Sequence, residues 1–249
     1  MLPLEQQQLT DQPLEDLCSW PEDLDDRRAF RRRLEWLMGC QVHPRLASRM
    51  HTQWQNALRD PVTFATTHAE VAPLAQLVDW SSLLDINPSP VLLDPCSGEG
   101  NILASLAEEV PSMGGTALMY GNDVNTAYPA DFHFDCLQPE EWRAAPLDID
   151  VLICSPPFEL ADPIFSDLAL RAGLFAACHL PGDYVSNGPP YRRAWWAWLQ
   201  SQGRTAELRG LPRVPLRGTR RCSWFIIWRS SELRDRLWAS QFECFTLFE

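Results

Sequence analysis

Strand-length runs of mostly apolar residues recur through the middle of the chain, and each run stops at polar or turn-forming residues. A run without alternation is typical of a strand buried on both faces, as in a parallel sheet covered by helices. Segments of helical length, such as Ile102 to Val110, separate the runs, and this predicts a right-handed series of βαβ units. The predicted strands are Val91–Asp94, Ala117–Asn122, Phe132–Phe134, Val151–Cys154 and Leu174–Leu180.

The pattern changes after Leu180. A helix is predicted from Tyr191 to Gln202. Within it, Trp195 and Trp198 share a face that should pack on the sheet, whereas Trp196 points elsewhere and is expected to be exposed. About eight residues join the two strands that follow, which is too short for a helical crossover, so an antiparallel hairpin is predicted. These strands are Glu207–Val214 and Ser223–Trp228.

The chain divides into two parts at about residue 60. Residues 1–59 form an arm followed by a helical extension. The arginines between Arg27 and Arg33 could contact nucleic acid, but pairing with nearby acidic residues such as Asp23, Asp25 and Asp26 is favoured. Residues 60–249 carry the predicted strands. The predicted fold class is therefore α/β, with five parallel strands, a C-terminal antiparallel hairpin and an N-terminal helical extension.

Composition excludes several classes of protein. The chain has 249 residues with 45% hydrophobic content, which supports a core and argues against disorder. No run approaches the ~20 apolar residues of a membrane span, and a secretory signal is not evident. The eight cysteines form no Cys-x-x-Cys pair and several lie in apolar runs. We expect reduced thiols, no metal, and an intracellular protein of the cytoplasm or nucleus.

The net charge of −12 is distributed unevenly. Residues 1–189 hold 10 arginines against 28 acidic residues, whereas residues 190–249 hold 11 against 5. A basic stripe on an acidic molecule is a plausible contact surface for a nucleic-acid backbone, although a solvated surface has the same composition. The candidate nucleic-acid-binding residues are Arg192, Arg193, Arg217, Arg220 and Arg221.

The first predicted strand ends in an acidic loop that contains two glycines and opens into a helix. Glycines let the backbone pass close to a ligand, and ligands of open α/β sheets bind where parallel strands end. The spacing is not the G-x-G-x-x-G of dinucleotide-binding domains. The loop reads Asp94-Pro95-Cys96-Ser97-Gly98-Glu99-Gly100.

A second loop follows the strand at 151–154 and reads Ser155-Pro156-Pro157-Phe158. The two loops, in this order, resemble the S-adenosylmethionine-binding and catalytic loops of class I methyltransferases that methylate exocyclic amino groups of bases. The last strand resembles the closing strand of phage-type and mobile-element DNA N6-adenine methyltransferases. The resemblance covers about residues 60–230.

The resemblance implies S-adenosylmethionine as cofactor. It places Asp94 at the methionine ammonium group, Asp123 at the ribose hydroxyls and Asp135 at the adenine amino group. The segment at 63–68 resembles a Phe-x-Thr-Pro segment that lies over the methionine end, with Thr67 where proline is usual. The implied cofactor-binding residues are Phe64, Thr66, Asp94, Pro95, Ser97, Gly98, Gly100, Asn122, Asp123 and Asp135.

The second loop suits chemistry at an amino group. The nitrogen lone pair of an exocyclic amine is delocalised into the ring, and hydrogen bonds from the amine to Ser155 Oγ and the Pro156 carbonyl would localise it. The two prolines fix the carbonyl direction, and Phe158 offers a face on which an extruded base can stack. Ser155, Pro156, Pro157 and Phe158 are therefore the candidate catalytic residues. A Cys nucleophile is not expected, because Cys154 should point into the sheet.

Several functions remain open. The sequence favours methylation of adenine N6 in DNA, but Ser155 stands where adenine enzymes usually carry Asp or Asn and cytosine-N4 enzymes carry Ser. An RNA adenine methyltransferase, a protein-glutamine methyltransferase and a non-catalytic nucleic-acid-binding subunit with this fold are the alternatives. The chain has little room for a target-recognition domain, so a partner subunit could supply specificity.

Overall fold

The computed structural model describes residues 65–246 apart from short gaps, at 112–115, 139–140, 146–147, 182–183, 185–189, 210–221 and 240–244, and a few residues between 31 and 52. Among the residues described between 31 and 52, Arg31 Nε lies 2.7 Å from Glu35 Oε1, so this arginine does pair with an acidic neighbour. Apart from these few residues, of which Ala47 and His51 are buried, the predicted N-terminal arm and extension lie outside the described residues.

A seven-stranded sheet forms the centre of the molecule, in the order β2-β1-β3-β4-β6-β5-β7. Strands β2, β1, β3 and β4 are parallel neighbours, β6 is antiparallel to β4 and β5, and β5 therefore runs in the direction of the parallel group. The strands are β1 Val91–Asp94, β2 Leu118–Gly121, β3 Val151–Cys154, β4 Phe175–Pro181, β5 Thr205–Arg209, β6 Cys222–Trp228 and β7 Phe245–Thr246.

Helices cover both faces of this sheet. The helices are α1 His68–Leu77, α2 Trp80–Ile86, α3 Asn101–Glu109, α4 Ala161–Arg171, α5 Pro190–Ser201 and α6 Ser231–Leu237. Buried residues of α1, α2, α3 and α6 pack on one face, and those of α4 and α5 pack on the other. The sequence of β3 is apolar throughout because both faces of the strand are covered. Val151 and Ile153 pack on the side of α1, α2, α3 and α6, whereas Leu152 and Cys154 pack on the side of α4 and α5.

Two details differ from the sequence-based expectations. The predicted third strand, Phe132–Phe134, makes only a single parallel bridge, between Phe132 and Asn122. The expectation of an exposed Trp196 is wrong, because Trp196 is fully buried against Phe165 of α4. The apolar stripe of α5 is wider than the spacing of Trp195 and Trp198 indicates. Among the described helices, none is long and apolar enough to cross a membrane.

Candidate active site

The loops that follow β1, β2 and β3 converge on one cavity at the carboxyl edge of the parallel strands. The cavity has a volume of about 440 Å³. Its wall includes the first residues before α1, the loop that opens α3, the segments around residues 123–128 and 134–137, and the corner after β3. The predicted site residues that line it are Thr66, Pro95, Ser97, Gly98, Asp123, Asp135, Ser155, Pro156, Pro157 and Phe158.

The loop after β1 depends on its two glycines. Gly98 has φ +52° and Gly100 has φ +80°, a left-handed conformation that other residues adopt at a cost. Gly100 is the N-cap of α3. Gly98 N donates to Asp123 Oδ2 at 2.9 Å, and Ser97 N donates to Asn122 O at 2.8 Å, so the loop is fastened to the end of β2.

Asp94, the last residue of β1, lies completely buried behind this loop. Its Oδ1 accepts a 3.0 Å hydrogen bond from Cys96 N. Burial raises the pKa of Asp94 from an ordinary value of 3.8 to about 8; the bond from Cys96 opposes the shift and the nearby Asp123 carboxylate adds to it. Asp94 therefore holds its proton more tightly than a solvent-exposed carboxyl group does.

Two polar atoms of the loop lie buried without a hydrogen-bond partner in the part of the chain that the structure describes. They are Asp94 Oδ2 and Ser97 Oγ. Buried polar atoms are usually paired, so these two are candidates for contact with a ligand; Ser97 lines the cavity, whereas Asp94 is not among the lining residues. Both atoms can accept hydrogen bonds, which fits a ligand that carries N–H or O–H donors.

Asp123 and Asp135 belong to the wall segments that follow β2. Asp123 is half-buried, and besides the bond from Gly98 it accepts a 2.8 Å bond from Asn125 N through Oδ1. Asp135 Oδ1 accepts a 2.9 Å bond from Leu137 N. Each carboxyl group is thus oriented by backbone amides while it still lines the cavity.

Asn122 has a different role from the contact that sequence reasoning gave it. Its side chain is fully buried behind the wall, donates 3.0 Å bonds to the carbonyls of Pro95 and Phe134, and accepts a 2.9 Å bond from Phe134 N. It therefore joins the loop after β1 to the segment that precedes Asp135. Gly100 is likewise absent from the residues that line the cavity and acts through the backbone turn.

The corner after β3 projects into the same cavity. Ser155, Pro157 and Phe158 are half-buried and Pro156 is buried. A short 3-10 turn, Phe158–Leu160, starts immediately and is closed by a 2.8 Å bond from Leu160 N to Pro157 O. The corner therefore leads directly into α4, whose packing on the sheet fixes its position.

The cavity wall is acidic. Glu99, Asp123 and Asp135 line it, and among the described lining residues there is no Arg, Lys or His. Sequence reasoning missed Glu99 as well as two residues at the wall, Val124 and Tyr128. Glu99 could have been found from its place between the two glycines; Val124 and Tyr128 carry no signal in the sequence. Phe64, Arg217, Arg220 and Arg221 lie outside the described residues, as do the side chains of Arg192 and Arg193.

The cysteines at the site are poor nucleophiles. Cys154 is fully buried, and burial with the neighbouring Cys178 thiol, 3.4 Å away between Sγ atoms, raises its pKa well above the usual value. Cys96 reaches the cavity wall. The hydrogen bond with Cys136 lowers the pKa of Cys96, but Cys154, burial and Asp94 together raise it well above the usual value. A covalent mechanism through a thiolate is therefore not supported.

Comparison with known proteins finds similarity at the level of structure. No family model and no curated protein sequence matches the chain. The methyltransferase subunit of a type I restriction-modification system from Streptococcus thermophilus superposes with a TM-score of 0.52 at 16% identity over 74% of this chain and 48% of its own. The chain thus spans about half the length of that subunit.

Two further similar structures have lower scores. A candidate class I S-adenosylmethionine-dependent methyltransferase from Listeria monocytogenes has a TM-score of 0.48 at 13% identity, over 84% of this chain and 71% of its own. The M protein of the type I restriction enzyme EcoKI has 0.48 at 11% identity, over 89% and 58%.

The strand order and the antiparallel position of β6 decide the fold, together with the Streptococcus thermophilus superposition. The chain has the class I methyltransferase fold. The predicted fold class is thereby confirmed. In a class I methyltransferase fold with this topology, the edge at which β1, β2 and β3 end is the expected ligand site, and the cavity lies at that edge.

Proposed function

We propose that the protein is an S-adenosylmethionine-dependent methyltransferase that acts on an exocyclic amino group of a nucleobase, and that this group is adenine N6 in DNA. The observation that carries the proposal is the cavity shared by the acidic glycine loop and the Ser155–Phe158 corner. A methyl donor and an amino acceptor must meet within one enclosed space, and the two loops supply one wall for each.

The cavity fits this cofactor by charge. S-adenosylmethionine, when bound, supplies a methyl group on a positively charged sulfur. Its ammonium group would meet the unpaired Asp94 Oδ2, and Asp123 would accept bonds from the ribose hydroxyls. The acidic wall disfavours a phosphate-bearing ligand such as a dinucleotide, because the described lining residues include no cation to neutralise it.

The other proposed contacts with the cofactor are assigned from the positions of the residues in the cavity wall. Ser97 Oγ, buried and unpaired, is available to the methionine end, and Thr66 lies buried at the cavity before α1. Pro95 and Gly98 form the loop surface next to it. Asp135 is placed to accept from the adenine amino group. Phe64 precedes Thr66 by two residues in sequence and keeps its proposed role from the resemblance alone.

The corner residues orient the acceptor. Ser155 Oγ and the Pro156 carbonyl accept the two N–H bonds of the amino group, so that the nitrogen lone pair is directed at the methyl group. The flanking prolines lack N–H donors that would compete for these oxygens. Phe158 stacks on the extruded base, a contact worth roughly 1–3 kcal/mol. Catalysis then rests on orientation and approximation.

DNA as substrate is supported by two facts of different kinds. The Streptococcus thermophilus neighbour is named as a restriction-modification methyltransferase subunit. The C-terminal 60 residues carry 11 arginines against 5 acidic residues, which suits a phosphate backbone. A partner that supplies target recognition belongs to the same proposal, because that neighbour is itself named as one subunit of a restriction-modification system.

Substitution of Ser155 tests the chemistry. Ser155→Ala removes one acceptor of the amino group, so kcat should fall about 10- to 100-fold, the size of a lost transition-state hydrogen bond, with little change in cofactor affinity. Ser155→Asn still presents an oxygen acceptor and should retain activity. Ser89→Ala, an exposed serine away from the cavity, is the matched control. Full activity of Ser155→Ala would sink this mechanism.

Mass spectrometry of nucleosides from DNA and RNA incubated with protein and labelled cofactor identifies the product. N6-methyladenine in DNA is the expected outcome. N4-methylcytosine would instead assign the enzyme to cytosine N4, the alternative that Ser155 in the corner favours. Cofactor binding without any methylated nucleoside would instead support a non-catalytic subunit. Methylated glutamine in protein would show that the substrate is a protein and not a nucleic acid.

A further inference from the structure

The residues that precede α1 form part of the cavity wall. Ala65 and Thr66 line the cavity, and Thr66 is 7% exposed. The next residue, Thr67, is the N-cap of α1, with an extended backbone at φ −88° and ψ 159°. The position of this wall therefore depends on where α1 begins.

A single buried side chain determines that beginning. Glu70 is 2% exposed, and its Oε2 accepts two bonds from Thr67, one from the backbone N at 2.7 Å and one from Oγ1 at 2.8 Å. Glu70 N in turn donates to Thr67 O at 3.0 Å. Thr67 and Glu70 thus form a capping box, which satisfies donors that a helix start otherwise leaves unpaired.

The backbone carbonyl of Glu70 is also hydrogen-bonded to the sheet. Trp224 of β6 is fully buried, and its Nε1 donates to the Glu70 carbonyl at 2.7 Å. His179 of β4 packs on the Trp224 ring with centroids 5.0 Å apart. Burial lowers the pKa of His179 to about 4 although Glu70 opposes the shift, so His179 is neutral at pH 7. Glu70 therefore links the cavity wall to the interior of the sheet.

We propose that Glu70 is a positioning residue for the cofactor, which it serves by holding Thr66 and Thr67 in the cavity wall through the capping box. The proposal rests on the proposed function, since it names the residue that shapes one wall of that site. Glu70 is not itself among the residues that line the cavity. Glu70 affects the bound cofactor through Thr66. Loss of the Glu70 side chain should therefore change the KM for the cofactor more than it changes kcat.

Three variants measure this effect. Glu70→Ala should raise the cofactor KM by about 3- to 30-fold, the range that corresponds to loss of an N-cap, and leave kcat within about twofold. Glu70→Gln should stay near wild type, because one oxygen accepts both bonds. Trp224→Phe keeps an aromatic side chain and removes the indole N–H donor, so it should raise KM as well.

A second substitution can restore the wall without the glutamate. Thr67→Pro removes the backbone N–H whose hydrogen bond Glu70 accepts, and the φ of −88° at Thr67 lies about 8° beyond the usual proline range of about −50° to −80°. Thr67→Pro combined with Glu70→Ala should therefore return KM toward the wild-type value. Glu109→Ala is the matched control, because it removes an exposed 2.8 Å contact between His68 of α1 and Glu109 of α3 without touching the wall.

Each outcome separates the two proposals. Calorimetry that shows no S-adenosylmethionine binding by the wild-type protein overturns the proposed function and this inference with it. Binding by the wild type together with an unchanged KM in Glu70→Ala overturns this inference alone, even if the melting temperature falls. A raised KM in Glu109→Ala equal to that of Glu70→Ala would show a general effect of α1 and also overturn this inference.

Discussion

At the scale of single residues, Asp94 connects the stability of the fold to ligand binding. Its carboxyl group is fully buried, one oxygen is bonded to Cys96 N, and the other has no partner within the described chain. A raised folded-state pKa means that the folded protein holds the proton more tightly than the unfolded chain does. The stability contributed by protonated Asp94 is fully present below pH 3.8 and is lost as pH rises through about 8.

Asp94→Asn should therefore stabilise the ligand-free protein and abolish cofactor binding. The amide keeps the oxygen that Cys96 N requires and cannot ionise. At pH 8 we expect an increase of ~1–3 kcal/mol in the free energy of unfolding, measured by urea denaturation. At pH 4 the difference from wild type should shrink. A variant that is less stable than wild type at pH 8 would contradict burial as the cause of the raised pKa.

Binding of a cation at Asp94 should also release a proton. At pH 7 the free site holds Asp94 mostly protonated because its pKa is about 8, whereas the ammonium group requires the carboxylate. Cofactor affinity should rise with pH between about 6 and 8 and then level off. Isothermal titration in buffers of different ionisation enthalpy measures the released proton, and Asp94→Asn supplies the proton-free reference. Affinity that falls over this pH range would contradict the assignment.

Gly121, the last residue of β2, is needed because of a close approach. A Cβ built on it would lie 3.0 Å from Ser97 Oγ and 3.1 Å from Ser97 Cβ. Gly121→Ala should displace the loop after β1 and weaken cofactor binding about tenfold, which corresponds to ~1.4 kcal/mol. Gly121→Ala combined with Ser97→Gly removes the clash, so the rescue is judged against Ser97→Gly alone: the double variant should bind the cofactor about as well as Ser97→Gly, which by itself lacks the Ser97 Oγ contact. Failure of this rescue, measured by calorimetry, would place the defect elsewhere.

At the scale of elements, buried tryptophans hold α5 in place. The helical spacing did not predict correctly which of its tryptophans are buried. Trp196 is fully buried, its ring centroid lies 5.9 Å from that of Phe165, and Trp198 is only half-buried. Trp196→Ala should cost about 3–5 kcal/mol of stability, since it leaves a large cavity between α4 and α5. Trp198→Ala, as the matched comparison, should cost distinctly less. Equal losses in urea denaturation would contradict the burial pattern.

At the scale of the whole molecule, charge separates the two ends of the chain. Residues 1–189 have a net charge of −18 and residues 190–249 one of +6. If the C-terminal arginines contact a nucleic-acid backbone, replacement of Arg217, Arg220 and Arg221 by Ala should weaken DNA binding. The dependence of log affinity on log salt should become shallower by as much as about 2–3, because fewer counterions are released.

Fluorescence anisotropy at several salt concentrations measures this slope. Cofactor binding should be unaffected. Arg234→Ala with Arg236→Ala, both on α6, provides a control that lowers positive charge outside the 192–221 segment. An unchanged slope in the triple variant would remove the segment from the proposed interface and direct attention to the arginines between Arg27 and Arg33.

The sequence by itself determined the central strands of the sheet and the edge at which the site lies, but not the single bridge of Phe132 or the short strand β7. The run at 151–154 is apolar at every position because both faces of β3 are buried, and that pattern is visible without a structure. The short connection to Ser223–Trp228 likewise implied the antiparallel pair. The glycine loop and the Ser155 corner were recognisable because strand ends, turns and helix starts are local features of the chain.

Only the tertiary structure decided which site residues contact the cavity and which support it. Asn122 and Asp123 are neighbours in sequence, yet the first bonds to backbone behind the wall while the second lines it. Glu70 and Trp224 are 154 residues apart and meet through one hydrogen bond. Burial and long-range contacts of this kind are set when helices pack on the sheet, and a pattern along one segment contains no information on what another segment brings to it.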